Sequence, residues 1–201
     1  MTESDEWATR GWNARLRDQL DFHYRQQVRP RLHGLTDDEY YWEPVPGSWS
    51  LRRRGEETTD DAAGGGELVL DYSWPEPTPA PVTTIAWRLG HVIRSCLAQR
   101  TASHFGGRPA EPETWVFATT AGEALDQLDA AYDAWSAGVE GLGEEGLDRP
   151  CGPAEGHFAE APMADLVLHI NRELIHHGAE ICLLRDLYPH RTTSGTTGES
   201  R

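Results

Sequence analysis

The hydrophobic and polar positions in the last third of the chain repeat with the period of a helix. From Pro162 to Tyr188 apolar residues recur every three or four positions, and no proline follows Pro162, so the segment predicts one long helix. At about 100° per residue, five side chains that can bind a metal or a proton fall on one stripe of that helix: His169, Glu173, His176, His177 and Glu180.

The same helix carries apolar residues on both sides of the stripe, which predicts that most of its surface is buried. Buried imidazoles and carboxylates are costly unless they are paired, hydrogen-bonded or bound to a metal. One explanation is a solvated cleft or an internal hydrogen-bond network. The other is a metal site, and three His with two Glu on one stripe favour it.

Three earlier segments show a similar period. They run from Trp12 to about Leu32, from Thr83 or Thr84 to Gly106, and from Thr120 to about Leu142. Four amphipathic helices predict an all-α four-helix bundle. We expect residues 1–190 to form this single domain and residues 191–201, which are polar and rich in Ser, Thr and Gly, to be a disordered tail.

Residues 43–82 break the helical pattern. Segments 48–53 and 67–72 alternate apolar and polar residues and predict a short β-hairpin inserted between the first two long helices. The acidic, Gly-rich stretch between them predicts a poorly ordered tip. The insertion, with Trp49 and Trp74, is a candidate for a cover over a cleft or for a homodimer contact.

The amino-acid composition argues against two classes of binding partner. The net charge is −15 and Lys and Arg form no broad basic face, which argues against nucleic acid and anionic membranes as partners. No apolar run reaches membrane-span length and the first residues do not resemble a signal peptide. The three Cys lack metal-ligand spacing, and we expect Cys96 and Cys182 to be small buried residues in a cytoplasmic protein.

A second helix offers one further candidate ligand. His91 lies at the edge of the apolar stripe formed by Ile85, Leu89, Val92 and Cys96. Gly90 beside it costs about 1 kcal/mol of helix stability relative to Ala. That cost suggests a close approach there by a neighbouring helix or a ligand.

Segments 31–52, 83–95 and 169–188 together resemble the DinB-like superfamily, and the similarity covers roughly residues 12–188. This superfamily includes metal-dependent hydrolases and the mycothiol-dependent transferases and isomerase. The resemblance implies an up-down-down-up bundle. It also implies a divalent metal held by three side chains, one from the second helix and an i, i+4 pair from the last.

Carried over to this chain, the resemblance implies the metal ligands His91, Glu173 and His177. The common family pattern is His-x-x-x-His, and this chain has Glu in the first place. A rival register puts His176 in the second place and makes His169 its partner. We otherwise expect His169 and His176 to orient the ligands or to substitute for them, and Glu180 to act as a base or hydrogen-bond acceptor. These three are the candidate catalytic residues.

Two imidazoles and one carboxylate leave coordination positions open, as in catalytic sites. Zn, Ni, Fe and Mn all fit such a ligand set. The resemblance favours transfer of a low-molecular-weight thiol, such as mycothiol, to a small electrophilic substrate. Two alternatives stay open: a hydrolase that uses metal-activated water, and a non-catalytic module that binds a small ligand during a stress response.

Overall fold

Helices make up most of residues 9–191, which are the part of the chain that this computed structural model describes. Helix α1 joins Trp12–Phe22, the π-helical segment His23–Val28 and Arg29–Arg31; α2 is Asp37–Tyr40. Helix α3 joins Ile85–His91, the π-helical segment Val92–Ala98 and Gln99–Phe105. Helix α4 is Ala121–Leu147, and α5 is Met163–Leu187. Two short 3-10 segments lie at Pro153–Phe158 and Tyr188–His190.

Threonine side chains fix where three of these helices begin. The hydroxyl of Thr36 accepts from the amide of Glu39, whose carboxylate accepts from the Thr36 amide, so α2 starts with a capping box. The Thr84 hydroxyl accepts from the Trp87 amide at the start of α3, and the Thr120 hydroxyl accepts from the Glu123 amide at the start of α4. The sequence predicted these two starts, at Thr83 or Thr84 and at Thr120, and Thr there satisfies amides that the first helical turn leaves unpaired.

Helices α1, α3, α4 and α5 pack into one bundle. Helix α1 lies against α4 and α5, and α3 lies against the same two helices. Leu89, Trp135 and Ile170 are almost completely buried between them, and the Tyr24 and Tyr132 rings stack with centroids 3.9 Å apart. The all-α class predicted from the sequence is confirmed.

The inserted hairpin is also confirmed. Strands β1 (Leu51–Arg53) and β2 (Leu68–Leu70) pair antiparallel, with Leu51 opposite Leu70. The tip between the two strands was expected to be poorly ordered. It instead makes a defined contact, in which the amide of Thr58 donates to the Asp71 carboxylate at 3.1 Å. The Asp71 carbonyl accepts from the indole Nε1 of Trp87 at 2.7 Å. The insertion is therefore tied to the helix that carries His91.

Helix α5 is less buried than its pattern predicts. Leu168 and Leu183 are exposed, at 48% and 57% of their surface, whereas Asn171 is buried and donates to the Leu16 carbonyl of α1. Burial on both sides of the stripe was therefore a wrong prediction. The packed neighbours cover most of the helix and leave the Leu168 and Leu183 side to solvent.

Two sequence predictions concern the C-terminal tail and the absence of membrane-spanning helices. Of the predicted tail, residues 191–201, all but Arg191 lie outside the described residues. Among residues 9–191 no helix is both long and apolar enough to cross a lipid bilayer.

Candidate metal centre

Helices α3 and α5 bring His91 and His177 to the same carboxylate, that of Glu173. Oε2 of Glu173 lies 4.0 Å from Nε2 of His91 and 3.4 Å from Nε2 of His177. The two imidazole centroids are 4.9 Å apart and nearly perpendicular. The three side chains are 12–27% exposed, so the cluster is shielded but open to small molecules on one side.

Trp87 holds the ring of His91. It lies one turn earlier on α3 and stacks on the imidazole with centroids 5.3 Å apart and planes 9° apart. Its own indole is anchored to Asp71. Gly90 does not face the cluster, since a Cβ there would lie 3.2 Å from Leu70 and 3.3 Å from Phe117. The close approach predicted at Gly90 is thus made by the insertion and the segment before α4.

Glu180 and Arg88 fix the orientation of His177. Nδ1 of His177 lies 2.8 Å from Oε2 of Glu180, and the Arg88 guanidinium forms an ion pair with the same carboxylate. Nδ1 of His177 also lies 3.2 Å from Nη1 of Arg88. When Nδ1 carries the proton and donates it to Glu180, the lone pair is on Nε2, which faces Glu173. Metal-binding histidines in proteins are oriented by this type of carboxylate contact.

The charges of the cluster suit a cation. The imidazole of His91 is the main cause that lowers the pKa of Glu173 to about 2, against the effect of partial burial, and His169 and His177 lower it further. Burial lowers the pKa of His177, although Glu180 opposes that change. The cluster thus holds a carboxylate and a neutral imidazole near pH 7, the protonation states that metal binding needs.

His169 and His176 lie on opposite sides of this cluster. Nδ1 of His169 is 3.5 Å from Oε1 of Glu173 and accepts from Arg172 at 2.6 Å. The side chain of His176 is 63% exposed, and its Nε2 lies 3.3 Å from Oε1 of Glu180. Each histidine therefore contacts a carboxylate of the site from outside it.

Two residues of the site were missed by the sequence analysis. Arg88 was not considered, although it precedes His91 by three positions and so shares its helix face. Cys96 was expected to be only a small buried residue. It is buried, but its Sγ lies 3.5 Å from Nε2 of His91, and burial followed by the charge of Glu173 raises its pKa to about 12.

The donor atoms of His91, Cys96 and Glu173 come close enough together for a small divalent ion, whereas His177 is grouped by ligand-atom distance with His176 and Glu180 and joins the first set through Glu173 alone. Ligand atoms around a tetrahedral ion with bonds of about 2.0–2.3 Å lie roughly 3.3–3.8 Å apart. The His177–Glu173, Cys96–His91 and His91–Glu173 contacts of 3.4, 3.5 and 4.0 Å are close to this range. His91, Cys96 and Glu173 each offer a ligand atom within 4.8 Å of the other two.

His176, His177 and Glu180 also each offer a ligand atom within 4.8 Å of the other two. This second group suits a cation less well, because Arg88 already pairs with the Glu180 carboxylate. A metal ion there would have to approach a guanidinium or displace it. Within residues 9–191 no guanidinium pairs with Oε2 of Glu173, the oxygen that faces both imidazoles, and Arg172 approaches only the other oxygen, Oε1, at 3.9 Å.

A cavity of about 340 Å³ lies next to the cluster. Its apolar wall includes Phe158 and Leu166, and its polar wall includes Arg100, His169 and Arg172. His169 belongs both to this wall and to the contacts of Glu173. A small molecule in the cavity would therefore lie beside the candidate metal centre.

Comparison with known proteins agrees with this geometry at the level of the family. No curated protein and no solved structure matches the chain. The family model described as the DinB superfamily matches residues 70–181, more than half of the chain, and these residues include α3, α4 and most of α5. The chain belongs to the DinB superfamily.

Proposed function

We propose that this protein is a metal-dependent enzyme that joins a low-molecular-weight thiol of the mycothiol type to a small electrophile. The observation that carries the proposal is the convergence of the His91 and His177 Nε2 atoms on one oxygen of Glu173. We propose these three side chains as the ligands of Zn, Ni, Fe or Mn. Such an ion would lower the pKa of a bound thiol and so raise its nucleophilicity at neutral pH.

Glu180 and Arg88 are proposed to position the site. Glu180 accepts the proton of His177 at Nδ1 and keeps Nε2 free to bind metal. Arg88 neutralises the second charge that Glu180 would otherwise place near Glu173. Since its carboxylate is engaged by His177, Arg88 and His176, Glu180 suits the orienting alternative better than the general-base alternative.

The cavity beside the site is the proposed place of the electrophile. Because Nδ1 of His169 accepts from Arg172, a neutral His169 carries its proton on Nε2 and can donate it in a hydrogen bond to a bound substrate. The guanidinium group of Arg172, in the same wall, would attract an electrophile with acidic or carbonyl oxygens, whereas Arg100 already pairs with Glu155 at 3.3 Å. His176 is proposed to support Glu180 and not to contact the substrate.

The proposal is tested by following products with and without thiol. Protein purified without a His tag is loaded with Zn or Ni and incubated with mycothiol and chlorodinitrobenzene. We expect a thioether that requires both metal and thiol and that is lost in His91→Ala but kept in His157→Ala, whose imidazole is exposed on the 3-10 segment Pro153–Phe158. Cleavage of ester or amide substrates without thiol would instead support the hydrolase, and absence of any metal-dependent turnover would support the binding module.

A further inference from the structure

The thiol of Cys96 is placed at the metal centre by an irregularity of α3. In an α-helix a residue five positions after His91 would point about 140° away from it. Residues Val92–Ala98 form a π-helix instead, and at its end the amide of Gln99 donates to the carbonyl of Arg94, five residues back. This wider turn brings Cys96 round to the His91 face, where Sγ lies 3.5 Å from Nε2.

Single π-helical turns inside α-helices are rare and occur often at functional sites. A buried Cys that served only to fill space would pack equally well among the apolar residues of a regular helix. Cys96 is instead the sulfur member of a group in which His91, Cys96 and Glu173 each present a ligand atom within 4.8 Å of the others. The irregular turn is therefore accounted for by the position it gives to this sulfur.

We propose that Cys96 is a metal ligand through its thiolate, together with His91, Glu173 and His177. This inference rests on the proposed metal site, but the family resemblance implies only three ligands there and none of them is Cys. Burial and the nearby Glu173 carboxylate disfavour a free thiolate at this position. A divalent cation supplies the opposite charge, so the proton of the thiol is released to solvent when the metal binds.

A sulfur donor changes which metals the site holds and how a thiol enters it. Thiolate with imidazole favours Zn, Co and Ni over the harder Mn. The four side chains offer four donors, two nitrogen, one oxygen and one sulfur. An outside thiol then competes with Cys96 for the metal, and the proton it loses can be taken up by the Cys96 sulfur as that sulfur leaves.

Cobalt substitution tests the ligand directly, because a thiolate bound to Co²⁺ gives an intense near-ultraviolet charge-transfer band that imidazole and carboxylate do not give. Unaltered protein and Cys182→Ser are expected to show this band in the absence of added thiol. Cys182 is also buried on a bundle helix but lies next to Arg31 and Asp186, which makes it the matched control. Cys96→Ser should bind Co²⁺ without the band, and its affinity for Zn should fall at least about tenfold while its affinity for Mn stays nearly unchanged.

Three outcomes would contradict Cys96 as a ligand, and one of them would also contradict the metal site itself. If Cys96→Ser keeps the charge-transfer band, or if unaltered protein binds Co²⁺ without it, Cys96 is not a ligand but the metal site stands. If unaltered protein binds neither Co²⁺ nor Zn, the metal site itself fails. Should Cys96→Ser not fold, X-ray absorption at the Zn edge of unaltered protein decides, because a sulfur neighbour at about 2.3 Å is expected and a purely nitrogen and oxygen shell would contradict it.

Discussion

Nε2 of His177 lies 3.4 Å from Oε2 of Glu173, one helical turn earlier on the same helix. Residues at i and i+4 are neighbours on a helix surface, so this pair needs only α5 to form. The third member, His91, comes from a second helix and needs the whole bundle. The site thus joins a local element to a tertiary contact, and its parts respond differently to mutation.

Removal of His177 should abolish tight metal binding. His177→Ala deletes one of two nitrogen donors, and we expect affinity for Zn to fall by more than about tenfold. Metal analysis of protein purified without a tag measures this, with His157→Ala as the control. Equal metal content in the two variants would contradict the assignment of His177 as a ligand.

Neutralising Glu180 should weaken metal binding without removing a ligand. Glu180→Gln deletes the charge that holds the Nδ1 proton of His177, and losses of about 10–100-fold in metal affinity are typical for such a partner. Asp186→Asn is the matched control on α5, since Asp186 pairs with Arg31 at the exposed surface. Chelator competition measures both variants, and an unchanged affinity in Glu180→Gln would show that the contact does not orient His177.

The packing of α5 on α1 depends on the absence of a side chain at residue 178. A Cβ at Gly178 would lie 2.8 Å from Cγ2 of Val28 and 3.0 Å from Nε2 of His23. We therefore expect Gly178→Ala to lower the free energy of unfolding by about 1–3 kcal/mol, despite the better helix propensity of Ala.

The control for this change is Gly122→Ala in α4, where, among the described residues, no atom beyond the chain neighbours and the local helix backbone lies within 4 Å of the added methyl. There the free energy of unfolding should stay the same or rise by up to about 1 kcal/mol. Urea denaturation measures both variants. A Gly178→Ala protein as stable as the control would mean that the two helices do not approach so closely.

The sequence predicted the helices better than it predicted the site. Thr84 and Thr120 marked helix starts because capping is a local interaction. His91, Glu173 and His177 were proposed together only through the family resemblance, and the structure brings them within contact. Cys96 was missed since its direction depends on a π-helical turn, which apolar periodicity does not reveal. The outer side of α5 was predicted to be buried because an apolar pattern does not show how many neighbouring helices pack on a helix.

An acid-sensitive ion pair joins α1 to α4. The carboxylate of Asp129 accepts from Arg29 at 2.8 Å and from the hydroxyl of Tyr24. Partial burial alone would raise the pKa of Asp129, but the hydrogen bonds from Arg29 and Tyr24 lower it below the ordinary value. Because the folded pKa is the lower one, the stabilisation is present above the unfolded pKa of about 3.9 and is lost as pH falls through the folded pKa.

Asp129→Asn should therefore cost about 1–3 kcal/mol of unfolding free energy at pH 7. The difference from the unaltered protein should be constant above about pH 5 and should shrink below pH 4. Denaturant titrations across this range measure it, with Asp133→Asn as the control, since the exposed Asp133 carboxylate pairs with Arg25 at 3.1 Å at the surface. A difference that grows as the solution is acidified would contradict the sign of the pKa shift.

The most direct measurement is an anomalous-scattering map of protein crystals grown with Zn and recorded at the Zn absorption edge. The account predicts a peak within bonding distance of Nε2 of His91, a carboxylate oxygen of Glu173 and Nε2 of His177. A map without a peak there, or with its main peak between His176 and Glu180, would contradict it.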